Sequence, residues 1–143
     1  MVQIKSIFID ANYFCGFNNR RDTLHEKSKQ VFKILRQQEH TLYTSNFIIA
    51  EALTVLSQRA GKEVGLKFGQ DIFGIFSPIK ILRTDKKTDL ESFNIFKKIK
   101  SKDISFVDAT NLALMQKYKI SYFLTFDQQL LKIAKKFNIQ TLN

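Results

Sequence analysis

The chain has 143 residues and a formal net charge of +10, from 23 Lys and Arg against 13 Asp and Glu. This length fits one domain, which we expect to span residues 1–143. A hydrophobic content of 44% with a single Pro excludes a disordered chain. The positive excess favours a polyanionic partner such as nucleic acid, although many of the lysines would equally suit solvated helix faces.

The single cysteine, Cys15, cannot form an internal disulfide, and no Cys and His pattern at zinc-ligand spacing is present. The apolar stretch before Asp10 is too short for a signal peptide or a membrane span. We therefore expect a cytoplasmic protein. Cys15 is expected to be a small core residue, and His25 and His40 to be surface or capping residues.

Short apolar runs alternate with amphipathic segments from the first residues onward. The predicted strands are 4–9, 41–44, 79–82, 121–125 and 140–142. The predicted helices are 23–38, 46–59, 62–77, 84–99, 105–118 and 128–137. Thr23 with Glu26 predicts a capping box, Ser45 and Ser105 are expected N-caps, and Pro78 blocks continuation of the third helix. This alternation predicts an α/β fold with a mostly parallel sheet covered by helices on both faces.

Three aspartates are placed where such a sheet would bind a ligand, beyond the carboxyl ends of its strands. Asp10 ends the first strand, and Asp127 lies two residues past the fourth. Asp108 lies in the first turn of the helix that leads into the fourth strand. Each could instead cap a helix: Asp10 a turn at 11–16, Asp127 the last helix, and Asp108 in a capping box with Ser105. Taken singly, capping is the more common role.

Glu51 is a fourth candidate, and capping does not explain it. Its helical neighbours three and four residues away are largely apolar, namely Phe47, Ile48, Thr54 and Val55. This pattern predicts a carboxylate that faces inward and needs a cation, a raised pKa or a metal ion. No Lys or Arg lies within one turn of it.

Converging carboxylates would repel each other by about 4 kcal/mol for a pair about 4 Å apart. A divalent cation would offset that repulsion, and oxygen-only ligands suit Mg2+, with Mn2+ as a substitute. Such an ion can activate water and neutralise charge on a phosphodiester. An acidic pit in a basic surface therefore predicts a metal-dependent nuclease.

Four short motifs follow one another in the chain, FIDAN at 8–12, IIAEAL at 48–53, SFVDA at 105–109 and LTFD at 124–127. Together they resemble the PIN-domain ribonuclease family, and within it the VapC-type toxins of type II toxin–antitoxin systems. The resemblance implies a three-layer α/β/α sandwich with a five-stranded parallel sheet in the order 3-2-1-4-5. It also implies endonucleolytic cleavage of RNA that depends on Mg2+ or Mn2+.

The resemblance assigns roles to six residues. Asp10, Glu51, Asp108 and Asp127 occupy the positions of the family's acidic quartet, which is catalytic and binds the metal. Asn12 and Thr125 occupy the positions of its small polar supporting residues, which would orient the carboxylates. The implied partners are an RNA substrate, a cognate antitoxin and a second copy of the chain in a homodimer.

Two alternatives remain open at this point. The chain could be a non-catalytic PIN-like module that binds RNA or a protein, or an RNA-processing nuclease without an antitoxin. A receiver domain is disfavoured because Asp10 is preceded by Ile9 rather than by a second acid. A polar, basic loop at 17–21, close to the first motif, is a feature that the resemblance does not account for.

Overall fold

The computed structural model describes residues 5–142. Within that range five strands alternate with seven helices. The strands are β1 (Ser6–Ile9), β2 (Thr41–Ser45), β3 (Ile79–Leu82), β4 (Tyr122–Leu124) and β5 (Gln140–Thr141). The helices are α1 (Ala11–Asn18), α2 (His25–Arg36), α3 (Asn46–Arg59), α4 (Lys62–Ile72), α5 (Lys86–Lys98), α6 (Phe106–Lys117) and α7 (Gln128–Lys136).

All strand pairs are parallel, and the strand order is β3-β2-β1-β4-β5. The predicted fold class and the strand order implied by the resemblance are therefore confirmed. β1 is the central strand, and Ile7, Phe8 and Ile9 are fully buried in it. A continuous apolar run is what a parallel strand covered on both faces requires. Phe8 pairs in register with Tyr43 of β2 and Phe123 of β4.

Two helices begin at a later residue than predicted. α2 begins at His25 without a side-chain cap, so Thr23 and Glu26 form no capping box. Asp22 determines the backbone before the helix instead. Its Oδ1 accepts a hydrogen bond from Leu24 N at 2.8 Å, and this bond fixes a turn there. α5 begins at Lys86 with Asp85 as its N-cap, not at Thr84.

α4 ends at Ile72, five residues before the predicted end at 77. Gly74 explains the early end: a Cβ at that position would lie 2.9 Å from Gln70 O, so the turn after the helix is tight enough to require glycine. The predictions for α3 and β3 match the structure at both ends, and the other predicted elements differ from it by at most two residues at an end. The first predicted strand includes residue 4, which lies outside the described residues. No helix in the described range has both the length and the apolar character needed to cross a bilayer.

Candidate active site

Asp10 lies directly after the central strand, β1. The strands β2 and β4 lie on opposite sides of β1, so the strand order of the sheet reverses at this point. Its backbone N donates to Leu124 O at 3.0 Å, which joins the ends of β1 and β4. Its Oδ1 accepts a hydrogen bond from Ala11 N at 2.8 Å and so caps α1. The residue is only 7% exposed. A carboxylate is thus held inside the protein at the position where open α/β sheets bind ligands.

The Thr125 hydroxyl connects Asp10 to the loop that follows β4. Thr125 Oγ1 donates to Asp10 Oδ2 at 2.7 Å and accepts from Asn12 Nδ2 at 3.0 Å and from Asp127 N at 3.2 Å. Asn12 Oδ1 accepts in turn from Phe126 N at 3.2 Å. A hydroxyl has one proton and two lone pairs, and all three are used here. Thr125 therefore contacts Asp10 directly, and Asn12 is linked to Asp10 through Thr125.

Asp108 and Asp127 both act as helix caps. Asp108 Oδ2 accepts from Ser105 N at 2.9 Å, and Ser105 Oγ accepts from Asp108 N at 3.1 Å, which completes a capping box. Asp127 Oδ1 accepts from Leu130 N at 3.1 Å. Both side chains are partly buried. The capping interpretation is thus correct for all three aspartates, and each cap occupies one carboxylate oxygen.

Glu51 is exposed as a whole residue, so the prediction that it faces the core is wrong, whereas the raised pKa predicted with it is confirmed. The buried residues of α3 are Ile48, Ile49, Ala52 and Leu56, a stripe that passes beside Glu51 rather than through it. Of the neighbours that suggested burial, Phe47 and Val55 are only partly buried and Thr54 is exposed. Of the four neighbours only Ile48 is fully buried, so Glu51 lies at the edge of the buried face of α3 and part of its side chain reaches solvent.

The four carboxylates nevertheless interact electrostatically. Burial raises the pKa of Asp10 from 3.8 to about 7, against the lowering effect of its hydrogen bonds, and the charges of Asp108 and Glu51 raise it further. Partial burial of its carboxyl group and the charge of Asp108 raise the pKa of Glu51. Burial raises the pKa of Asp108, where hydrogen bonds with Ser105 act in the opposite direction and the charge of Asp127 adds to the rise. Each of the four acids therefore lies close enough to influence at least one other.

The chemistry of this cluster fits a hard divalent cation. Its donors are carboxylate oxygens, the ligands that Mg2+ prefers. Asn111, one turn after Asp108 on α6, is fully buried, and neither of its amide atoms has a hydrogen-bond partner. Across residues 5–142, however, no three Asp, Glu, His or Cys side chains form a group already placed to hold a metal ion. The donor types therefore fit the ion, although the described side chains do not form such a group.

Phe126, between Thr125 and Asp127, is a partly buried residue at the edge of the site that the sequence did not single out. Its ring stacks on Tyr13 with a centroid distance of 3.8 Å and an interplanar angle of 6°. Lys27 Nζ lies 5.4 Å from the same ring. The alternation of Thr125, Phe126 and Asp127 after β4 could have indicated an aromatic side chain at the edge of the site.

Neither Cys15 nor the histidines contribute to the cluster. Cys15 is buried, and burial raises the pKa of its thiol to about 11, so it is not an activated nucleophile. His25 Nδ1 lies 2.8 Å from Gly16 O at the start of α2. His40 Nδ1 accepts from Lys5 N at 3.2 Å.

The family model described as the PIN domain matches residues 7–136. The chain therefore belongs to the PIN domain family. Within that family it is similar to the 23S rRNA-specific endonuclease VapC20 of Mycobacterium tuberculosis, with 22% identity over 121 residues that cover 85% of this chain and 88% of VapC20.

Solved structures agree with this assignment of the fold. The crystal structure of M. tuberculosis VapC20, described as a sarcin–ricin loop cleaving toxin, superimposes with a TM-score of 0.80 at 21% identity, over 90% of this chain and 95% of that one. FitAcB from Neisseria gonorrhoeae gives a TM-score of 0.69 at 16% identity, over 96% of both chains. A toxin–antitoxin complex from Klebsiella pneumoniae gives 0.60 at 17% identity, over 87% of this chain and 88% of that one.

Proposed function

We propose that this protein is an Mg2+-dependent endoribonuclease, with Asp10, Glu51, Asp108 and Asp127 as its catalytic and metal-binding residues. The observation that carries the proposal is the electrostatic coupling of these four acids at the carboxyl end of β1, in a chain with a net charge of +10. The charges of neighbouring acids contribute to the raised pKa of Asp10, Glu51 and Asp108, and like charges held this close are costly unless a cation neutralises them. Membership of the PIN domain family supports the same conclusion.

The four acids differ in accessibility, which suits a polymeric substrate. Asp10 is buried, Asp108 and Asp127 are partly buried, and Glu51 is exposed. Asp10 is oriented by Ala11 N and Thr125 Oγ1, so one end of the cluster is fixed. A divalent cation held by these carboxylates would lower the pKa of a bound water and neutralise charge on the phosphodiester. The open end at Glu51 leaves room for an RNA strand to approach.

RNA is the proposed substrate because the similar protein VapC20 is a 23S rRNA-specific endonuclease. We further propose that residues 1–143 form one nuclease domain that works in the cytoplasm as a homodimeric toxin. A cognate antitoxin is its proposed inhibitor, since a similar structure is a toxin–antitoxin complex. Growth arrest on expression, relieved by co-expression of an adjacent small open reading frame, would support the toxin role. Expression without growth arrest would favour an RNA-processing nuclease.

The catalytic assignment is tested by cleavage of total RNA with Mg2+ or with EDTA, followed by mapping of the cut ends. Asp10→Asn, Asp108→Asn and Asp127→Asn should each abolish Mg2+-dependent cleavage. Asp85→Asn is the matched control, because Asp85 also caps a helix, through its Oδ1 and Thr88 N at 2.8 Å, but lies outside the cluster. The control should cleave like the unmodified protein.

Asn caps a helix about as well as Asp, so these substitutions remove a charge while keeping the cap. If Asp10→Asn and Asp85→Asn retained equal cleavage, the four acids would be structural only and the proposal would be wrong. If the unmodified protein bound RNA but left it intact under all metal conditions, a non-catalytic RNA-binding module would be the better description.

A further inference from the structure

A cavity lies between the loop after α1 and the junction of α3 with α4. Its volume is about 580 Å³. One wall is formed by residues 17–21 together with His25, and the other by Arg59, Ala60, Glu63, Val64 and Lys67. This cavity includes the basic loop at 17–21, which the family resemblance did not account for.

The cavity has a strong positive charge that the protein does not neutralise. Arg20, Arg21, Arg59 and Lys67 line it, against the single carboxylate of Glu63. Of these cations only Lys67 has an ion-pair partner in the described residues, Asp71 at 3.4 Å on its own helix. Three unpaired guanidinium groups around one space repel each other and attract an anion. The fork of a guanidinium matches the oxygens of a phosphate in a bidentate manner.

Local hydrogen bonds hold the loop that carries Arg20 and Arg21. Arg21 N donates to Asn19 Oδ1 at 3.1 Å, and Asp22 N donates to Asn19 O at 3.0 Å. The contact between His25 Nδ1 and Gly16 O ties the start of α2 to α1. α1 and α2 also approach closely here, since a Cβ on Gly16 would collide with Ser28 Oγ. The two arginines therefore project from a fixed backbone, which lowers the entropy lost on binding.

The cavity is connected to the acidic cluster by two helices. Asp10 caps the start of α1, and the last two residues of that helix, Phe17 and Asn18, line the cavity. α3 carries both Glu51 and Arg59, and eight residues of helix span about 12 Å. The charges of Glu51, Arg59 and Asp10 all act on the thiol of Cys15, so the acids and the cavity arginine influence the same group. An anion in the cavity would therefore lie about one nucleotide or more away from the acidic cluster, on the same molecular surface reached by a bound strand.

We propose that this cavity binds a backbone phosphate of the RNA at a position remote from the scissile bond, through Arg20, Arg21 and Arg59. The identification of the bound polymer as a substrate rests on the proposed function. The cavity would place the strand so that the cleaved phosphodiester reaches the acidic cluster, where the carboxylates themselves repel phosphate. The arginines would thus supply the affinity that the acids cannot provide.

Binding is tested with Arg21→Gln/Arg59→Gln, which removes one cation from each wall. Fluorescence anisotropy of a fluorescein-labelled RNA hairpin in EDTA measures affinity without cleavage. The matched control is Lys135→Gln/Lys136→Gln, which removes the same charge from two exposed lysines in the last turn of α7. We expect the Kd to rise about tenfold or more in the cavity variant and less than about threefold in the control. The slope of log Kd against log salt should fall by roughly 1 to 2 in the cavity variant only.

A cleavage assay with Mg2+ separates positioning from folding. The cavity variant should raise KM while kcat stays within about twofold, since a remote phosphate contact is equally strong in the ground and transition states. The melting temperature should be unchanged. Arg59→Lys, which keeps the charge but loses the bidentate fork, should show an intermediate KM.

Equal affinities for the cavity variant and the lysine control would overturn the proposal, as would unchanged binding in both. Loss of affinity for a labelled poly-Glu peptide, with RNA binding unchanged, would identify a protein-docking site and also overturn it. The two proposals fail separately. If Asp10→Asn still cleaves RNA while the cavity variant loses RNA affinity, the catalytic assignment fails and the cavity remains an RNA-binding site.

Discussion

Replacing Asp10 with Asn is expected to stabilise the protein when no metal is present. The carboxylate of Asp10 is buried, and burial raises its pKa from 3.8 to about 7. One pKa unit corresponds to about 1.4 kcal/mol, so keeping this group ionised above pH 7 reduces the free energy of unfolding by about 4 kcal/mol. A neutral amide of the same shape does not carry this cost.

The pH dependence of this effect has a definite sign. Because the pKa of Asp10 is higher in the folded state, the folded protein binds more protons than the unfolded chain between pH 3.8 and about 7. The contribution of Asp10 therefore destabilises the protein fully above pH 7. It weakens as the pH falls towards 3.8 and vanishes below that value. At pH 5 it amounts to less than half of its value at pH 8.

The gain from the substitution is smaller than the full cost of ionisation. The new amide NH2 would face Thr125 Oγ1, whose two lone pairs already accept from Asn12 Nδ2 and Asp127 N. An imperfect hydrogen bond of this kind costs about 1–2 kcal/mol. The net gain at pH 8 is then about 2–3 kcal/mol, or roughly 8–12 °C in melting temperature for a chain of this size. At pH 5 the two effects nearly cancel.

Thermal denaturation in EDTA measures the change in melting temperature expected at pH 8 and the near absence of a change expected at pH 5. Asp85→Asn is the control of opposite sign, because hydrogen bonds from Thr88 and Lys117 hold the pKa of Asp85 below its usual range. That group contributes stability above pH 3.8 which is lost as the pH falls, so its replacement should lower the melting temperature at pH 8. A lower melting temperature for Asp10→Asn at pH 8, or an equal gain at both pH values, would refute the reasoning.

Further expected outcomes concern hydrogen bonds and packing around the site. Thr125→Val removes the hydroxyl that donates to Asp10 and should move the onset of Mg2+-dependent cleavage to higher pH in a pH–rate profile, whereas Thr125→Ser should not. Ser105→Ala should cost about 1 kcal/mol in urea denaturation, through loss of the α6 cap. Gly16→Ala should lower the melting temperature, because its Cβ would collide with Ser28 Oγ. Since that hydroxyl is buried without a partner, Ser28→Ala should be neutral or stabilising and should partly rescue Gly16→Ala.

Several helix and strand boundaries could be predicted from the sequence because single residues mark them. The prediction for α3 matches the structure at both ends, and that for β3 does as well. Ser45 caps the start of α3 through Ile48 N at 3.2 Å, and Gly61 follows its end with a φ of 113°. Pro78 stands directly before β3. In each case one residue type with a strong backbone preference marks the boundary.

The exposure of Glu51 could not be predicted in the same way. The apolar residues around it fit more than one helix face, and only the packing of α3 against α1, β2 and α4 decides which face is buried. The convergence of Arg21 and Arg59 on one cavity is likewise a tertiary property, since 38 positions separate them in the chain. Neither feature leaves a local periodic pattern in the sequence.

In the sequence, helix capping and metal binding are alternative explanations for the three aspartates. In the structure each cap uses one carboxylate oxygen, so a cap does not prevent the other oxygen from binding a cation. Asp10 uses Oδ1, Asp108 uses Oδ2 and Asp127 uses Oδ1 to accept from a backbone N–H. In the described residues the second oxygen of Asp108 and of Asp127 has no hydrogen-bond partner, and that of Asp10 receives only Thr125. A cap fixes the direction of a carboxylate without using both of its oxygens. The caps would therefore pre-orient the acids for a cation, and this is why an Asp→Asn series, which keeps the caps and removes the charges, separates the two roles.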